Sequence, residues 1–225
     1  MSFLQLTHLP DEALRAEVIR TSLRMNALGI NQGKSGNVSA RNECGFLITP
    51  TGIPYEDTKP EQIVAMQMDG AHEGAFLPSS EWRFHRDIYA ARADLNAIVH
   101  THSAYATTLA CLDRDIPPFH YMVAIAGGKN IRCAAYATFG TQELSDHALA
   151  ALTDRHACLL SHHGMIACGV NLEKALALAV EVETLAQMYW QALQIGEPGL
   201  LPDDEMARVL EKFAAYGQQP QQSAK

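Results

Sequence analysis

The stretch Ala97-Ile98-Val99-His100-Thr101-His102-Ser103 decides how the rest of the chain is read. Three small or branched apolar residues lead into two histidines one residue apart, and a helix-like stretch follows Ser103. An apolar run closed in this way predicts a buried strand that ends at a polar mouth. Side chains alternate faces along a strand, so His100 and His102 share one face, roughly 7 Å apart along it, with Thr101 opposite. That spacing lets two imidazoles converge on one ion from a rigid support. The alternative is a hydrogen-bonded core histidine beside a surface one. Two ligands do not make a site, so a third must come from elsewhere in the chain.

Working outward, Ala157-Cys158-Leu159-Leu160-Ser161-His162-His163-Gly164 is a second apolar run ending in histidines. Adjacent strand residues face opposite ways, so only one of His162 and His163 can share a site with the first pair. Pro78-Ser79-Ser80-Glu81 opens a helix that the pattern carries to about Ala91. Serine hydroxyls and free N–H groups at a helix start form a ready anion site, and either serine equally suits plain capping. Residues 31–39, Asn-Gln-Gly-Lys-Ser-Gly-Asn-Val-Ser, and 50–54, Pro-Thr-Gly-Ile-Pro, are small-residue turns able to fold closely around a ligand. The first matches neither a Walker A loop nor G-x-G-x-x-G, so spacing alone favours an ordinary turn. Together these features offer three histidines from two strands, one carboxylate and several turns. Three neutral imidazoles with an open position describe a catalytic Zn²⁺-type site, and a neighbouring carboxylate is a candidate proton carrier.

The 225 residues are read as a single domain, 1–225, large enough to bury a sizeable core. A net charge of −8 with no cluster of lysine or arginine to offset it argues against a nucleic-acid partner. An anionic ligand then needs local positive potential from a metal, backbone N–H groups or a helix start. The five cysteines (Cys44, Cys111, Cys133, Cys158, Cys168) form no C-x-x-C and are expected as buried free thiols in a reducing compartment. The N-terminus lacks a basic region followed by a long apolar run, and no stretch approaches 18 apolar residues, so a cytoplasmic protein with no membrane partner is expected. Helices are predicted over residues 10–28, 78–91, 104–112, 144–152, from a cap at Asn171 to about Ile195, and from about 202 to near Gly217. Strands are predicted at 45–49, 63–68, 97–103, 131–137 (an edge) and 157–164, with 71–77 as loop and 218–225 as a flexible tail. This uneven alternation suggests an α/β protein with a central sheet covered by helices.

The strings Gly36-Asn37-Val38-Ser39, Ile48-Thr49-Pro50-Thr51-Gly52, Pro78-Ser79-Ser80-Glu81, His100-Thr101-His102 and His162-His163-Gly164 stand in the order seen in the class II aldolase/adducin family. The chain resembles that family from about Thr21 to Gly217, through Trp82-Arg83-Phe84-His85, Phe119-His120-Tyr121-Met122 and Tyr136-Ala137-Thr138-Phe139-Gly140 as well. The resemblance implies a three-layer fold with a central, mainly antiparallel β-sheet flanked by helices. It implies a metal-dependent aldolase that reversibly cleaves a ketose 1-phosphate into dihydroxyacetone phosphate and an aldehyde. L-fuculose 1-phosphate, 5-deoxyribulose 1-phosphate and 5-(methylthio)ribulose 1-phosphate are the substrates it suggests.

By the same resemblance one Zn²⁺ per subunit is held by His100, His102 and His163, and Glu81 is the acid/base carboxylate. Gly36, Asn37, Thr51, Gly52, Ser79 and Ser80 would cradle the substrate phosphate. Tyr121 would reach the aldehyde end from a neighbouring subunit of a homotetramer and receive the C4 hydroxyl proton, and Tyr216 would close over the site. Three rival readings share the scaffold. Methylthioribulose-1-phosphate dehydratases resemble it down to the zinc triad. Pentulose-phosphate 4-epimerases carry aspartate where Glu81 stands. Adducin-like interaction modules keep the fold without needing an intact three-histidine set.

Overall fold

Most strands of this chain obey one rule, which is that odd and even residues face different layers of helix. The computed structural model describes residues 11–215, with side chains described to residue 213. Its strands are β1 (Asn37–Arg41), β2 (Gly45–Ile48), β3 (Val64–Gln67), β4 (His72–Glu73), β5 (Ala97–Thr101), β6 (Arg132–Ala134), β7 (Ala157–Leu160) and β8 (Gly164–Gly169). They form one sheet in the order β4-β3-β2-β1-β5-β8-β7-β6. Every pairing is antiparallel except β6 with β7. The α-helices are α1 (Asp11–Ala27), α2 (Trp82–Ala91), α3 (Ala104–Ala110), α4 (Gln142–Ala151), α5 (Leu172–Ile195) and α6 (Asp203–Ala215), and Tyr121–Ala126 is a 3-10 helix.

Val38, Ala40, Leu47, Ala97, Val99, Leu159, Met165 and Ala167 face a core built with α1, α3, α5 and α6. Their strand neighbours Phe46, Ile48, Ile98, Cys158, Leu160, Ile166 and Cys168 face a second core built with α2 and α4. A sheet buried on both faces reads as continuous apolar sequence, and the period of two becomes visible only once the partners of each face are known. The layering is the three-layer α/β arrangement that the resemblance implied. Helix α5 explains its own length: Leu172, Ala175, Leu176, Ala179, Val182, Leu185, Ala186 and Tyr189 recur at helical spacing and are buried. Asn171 caps it as expected, its Oδ1 accepting from the Lys174 N–H at 2.9 Å.

Three strands lie where the sequence pattern gave no strand. Residues 37–39, read as part of a turn, open β1. Residues 72–73, read as loop, form the short edge strand β4. Residues 164–169 form β8, the neighbour of β5. Two of the five thiols also depart from expectation, since Cys44 and Cys111 are exposed, although all five are free. The predicted tail 218–225 lies outside the described residues.

Strand β5 carries the most apolar weight of any segment leading to the histidines. Ile98 is fully buried against the α2/α4 layer. Ile98→Ala should lower unfolding free energy by about 2–5 kcal/mol, the usual range for truncating a buried isoleucine. Urea titration should register this as a lower midpoint at unchanged slope.

Candidate active site

The polar end of β5 is where the alternation of faces stops burying carbon. Asn37 on β1 lies directly opposite His100 on β5, and Ile166 on β8 lies on the other side of it. His102 stands just past the strand end, and His163 lies in the tight turn between β7 and β8. The nitrogen or oxygen atoms that Glu81, His100, His102 and His163 offer all lie within 4.8 Å of one another. The three imidazoles meet edge to face, with ring centroids 4.9, 4.8 and 4.8 Å apart and planes crossing at 73°, 71° and 74°.

The turn, not strand alternation, separates His162 from His163. His162 takes a left-handed backbone (φ 51°) and is exposed, with its ring edge-on to Tyr136 at 6.0 Å. His163 follows it and turns inward to the cluster. Two glycines permit the close approaches. A Cβ on Gly164 would sit 2.3 Å from the Thr101 carbonyl oxygen and 3.0 Å from His102 Cδ2. A Cβ on Gly36 would sit 2.4 Å from the His100 carbonyl oxygen.

The cluster has the chemistry of a cation site. His100 Nδ1 lies 2.9 Å from the Met165 carbonyl oxygen, an acceptor only, so Nδ1 carries the proton and Nε2 presents a lone pair. That lone pair faces His102 Nε2 at 3.1 Å and Glu81 Oε2 at 3.2 Å. Acceptors crowded together in this way repel unless a cation or a proton lies among them. Glu81 Oε1 is buried with no hydrogen-bond donor aligned on it, although His163 Nε2 lies 3.0 Å away. The four residues therefore fit a divalent metal. Burial pushes the Glu81 carboxyl up, but its close approach to the His100 and His163 imidazoles, which favour a negative charge beside them whenever either carries a proton, outweighs it and holds the group below the usual carboxylate range. Burial, with His100 and His163 adding to it, brings His102 down to about 4 and so favours the neutral imidazole that a metal needs.

The small-residue turns lie side by side beside this cluster. Pro50 bridges to Pro78, the Ser79 N–H donates to Thr49 O at 3.0 Å, and the Thr51 N–H donates to Leu77 O at 3.0 Å. Lys34 Nζ donates to Gly52 O at 2.7 Å and so ties the first turn to the second. Gly36 is held by the Tyr55 hydroxyl, which donates to its carbonyl. Ser79 is buried and its Oγ accepts the Glu81 N–H at 3.3 Å just ahead of α2, which has no side-chain cap, whereas Thr51, Gly52 and Ser80 are exposed. Gly36, Asn37, Thr51, Gly52, Ser79 and Ser80 are thus brought together. Tyr121 is not brought to the cluster of its own chain. It is 50% exposed, at the rim of an open cleft between the Tyr121–Ala126 segment, α5 and α6, which none of the four cluster residues lines. Tyr216 lies outside the described residues.

Sequence reading missed what stands behind Glu81. Asn37 Nδ2 donates to Glu81 Oε2 at 2.9 Å, and Asn37 Oδ1 meets His85 Nε2 at 2.5 Å. His85 Nδ1 meets Ser39 Oγ at 2.7 Å, and Ser39 Oγ meets Tyr89 OH at 2.8 Å. The available signal was the spacing, since 81, 85 and 89 are four apart and share one face of a helix.

The profile of the family described as Class II Aldolase and Adducin N-terminal domain matches residues 16–190. A Rhodospirillum rubrum protein named 5-methylthioribulose-1-phosphate/5-deoxyribulose-1-phosphate aldolase is 57% identical over 209 residues, 93% of this chain and 95% of the relative. An Escherichia coli K12 protein named L-fuculose phosphate aldolase is 56% identical over 205 residues, 91% of this chain and 95% of the relative. Among solved structures, one of L-fuculose 1-phosphate aldolase superposes with a TM-score of 0.89 at 41% identity, covering 92% of this chain and 99% of the other.

Full burial, with the His100 charge adding to it, brings His85 down to about 3, against about 6.5 in an unfolded chain. Between those values the unfolded chain binds a proton that the folded chain refuses. The stability linked to His85 is therefore complete above about pH 6.5 and falls away as the pH drops toward 3. Urea unfolding of metal-free protein at about pH 7, 5.5 and 4.5 should show wild type losing more stability on acidification than His85→Gln.

Proposed function

The chain belongs to the class II aldolase and adducin family, and from that premise we propose a zinc-dependent aldolase that reversibly cleaves a ketose 1-phosphate into dihydroxyacetone phosphate and an aldehyde. The observation that carries this reading is the convergence of Glu81 with His100, His102 and His163 in one largely buried cluster. The imidazoles of His100, His102 and His163 would hold one Zn²⁺ per subunit, which supplies Lewis-acid stabilisation of charge developing on the carbonyl side of the scissile bond.

The other steps fall to the chain itself. Breaking the C3–C4 bond leaves its electron pair on C3, and the C4 hydroxyl proton departs as that carbon becomes the aldehyde. Tyr121 is assigned to receive that proton and return it to solvent, and Glu81, ionised at rest, is assigned to take up one proton from solvent and deliver it to C3, which completes dihydroxyacetone phosphate with no net change in protons. Gly36, Asn37, Thr51, Gly52, Ser79 and Ser80 are assigned to the phosphate, with hydroxyls in the lead because the Thr51 and Ser79 N–H groups are already bonded. Asn37 gives one amide N–H to Glu81 and keeps the other for the phosphate. Tyr216 is assigned to close over the site. The exposure of Tyr121, away from its own chain's cluster, supports its service to a neighbouring subunit in a homotetramer. The enzyme is taken to act in the cytoplasm, and among the described residues no helix is long and apolar enough to cross a membrane.

The relatives at 57% and 56% identity carry different substrate names, so the assay offers L-fuculose 1-phosphate, 5-deoxyribulose 1-phosphate and 5-(methylthio)ribulose 1-phosphate in parallel. Zinc-loaded protein should release dihydroxyacetone phosphate from at least one. Loss of sugar without that product indicates dehydration instead, and a new pentulose phosphate indicates epimerisation. Glu81→Gln should keep the metal and lose about 10²–10⁴-fold in turnover. His163→Ala should lose the metal, and His162→Ala should keep it.

Subunit sharing is tested by mixing. Tyr121→Phe and Glu81→Gln, each weak alone, should regain activity in part when refolded together, since some mixed interfaces then carry both wild-type groups. If mixed tetramers are confirmed by mass and activity does not recover, Tyr121 serves its own chain or no site at all.

A further inference from the structure

Behind Glu81 runs a line of four buried hydrogen bonds, from Tyr89 through Ser39, His85 and Asn37 to the carboxylate. None of the five residues is more than 5% exposed. Each of the three middle members could face either way on its own. Asn can present its amide or its carbonyl, His can protonate either nitrogen, and a serine hydroxyl can rotate. The carboxylate cannot. It accepts hydrogen bonds only, so Asn37 must turn its NH₂ toward Glu81 Oε2. Its carbonyl oxygen then faces His85 Nε2, which must carry the proton. His85 Nδ1 is left as an acceptor, so the Ser39 hydroxyl donates to it. Ser39 has one proton, now spent, and accepts from the Tyr89 hydroxyl. One acceptor-only group therefore sets the polarity of the whole line.

We propose that this line is a positioning device for the acid/base carboxylate, with His85 as its central member, and that it holds Oε2 so that Oε1 alone is free to exchange a proton with substrate. The proposal deepens the aldolase reading and rests on it for the word substrate. His85 touches no substrate and acts through Asn37. The fixed Asn37 amide also places its second N–H, so the same line joins the phosphate turns to Glu81. Phosphate bound there would brace the carboxylate, a use of binding energy remote from the reacting carbon. Oε1 is the oxygen without an aligned donor, which fits its assignment to proton transfer.

The test combines kinetics with ring-proton spectroscopy. In zinc-loaded enzyme, His85→Phe should lower kcat for cleavage by about 10-fold or more, part of the 10²–10⁴ that a placed acid/base contributes. Zinc content should stay unchanged, KM should rise by much less than kcat falls, and the rate at which dihydroxyacetone phosphate alone takes up solvent deuterium should fall with kcat. His85→Gln keeps a donor toward Asn37 and an acceptor toward Ser39, and should restore most of the rate. If Gln is as slow as Phe, or if zinc content falls together with kcat, His85 is a packing residue and the proposal fails.

Ser39→Ala provides a smaller change should His85→Phe not fold. In metal-free wild type, long-range ¹⁵N–¹H correlation should show His85 protonated at Nε2; Ser39→Ala, which lies beyond His85 from the carboxylate, should keep that tautomer, and Glu81→Gln, whose amide can face Asn37 either way, should release it to a mixture. A wild-type ring protonated at Nδ1 overturns the proposal whatever the substrate. An Nε2–H ring in a protein that cleaves none of the three sugars would overturn the aldolase reading and leave the hydrogen-bond line standing.

Discussion

Strand β5 is hydrogen-bonded along both edges, to β1 and to β8, and the pleat gives its two faces opposite duties. Ala97 and Val99 press into one core and Ile98 into the other, and then, without any change of geometry, the next residue on the Ile98 face is His100. The register that buries the apolar half is the register that aims the imidazole. A one-residue slip would move His100 into the layer of α3 and α5 and bring Thr101 to the site. Asn37 and Ser39 occupy the same face of β1, so the polar island is one continuous patch laid across two strands and covered by α2.

Much of this was legible in the sequence, for reasons that differ by element. The His-x-His strand could be read from alternation alone, because an apolar run of that length has few other uses. Helices α2, α4 and α5 announced themselves through spacing and polar starts, and α5 also through its cap at Asn171. The selection of His163 came only with the family resemblance, since spacing left His162 open, and the structure shows why: the pair lies in a turn, where alternation says nothing. Strand β1 hid because its inward polar residues, Asn37 and Ser39, resemble turn residues when their burial is unknown. The line from Tyr89 to Asn37 hid for a similar reason. Histidine, serine and asparagine each have a dozen surface uses, and only the fold reveals that they face one another.

The chain carries a net charge of −8 yet is read as binding a phosphate ester, and its site shows how the two are compatible. Positive potential would be made locally, by the ion that the cluster is suited to hold and by Lys34, which leans from one small-residue turn onto the carbonyl of Gly52 in the next. Such short-range sources act at contact, and the acidic remainder of the surface acts over a screening length of about 8–10 Å. Specificity for phosphate therefore depends on close fit and owes little to long-range attraction.

The pairing of β5 with β8 also fixes when the cluster can exist. His100 and His102 lie about sixty residues before His163, and no local element links them. Only the closing of β8 against β5 brings the β7–β8 turn beside the strand end. Pairings of that span form late in folding and are slow to nucleate. The complete set of imidazoles is therefore a property of the closed sheet and of no local stretch of the chain, so a variant that loosens the β5–β8 pairing should disperse the cluster without touching any of its four side chains.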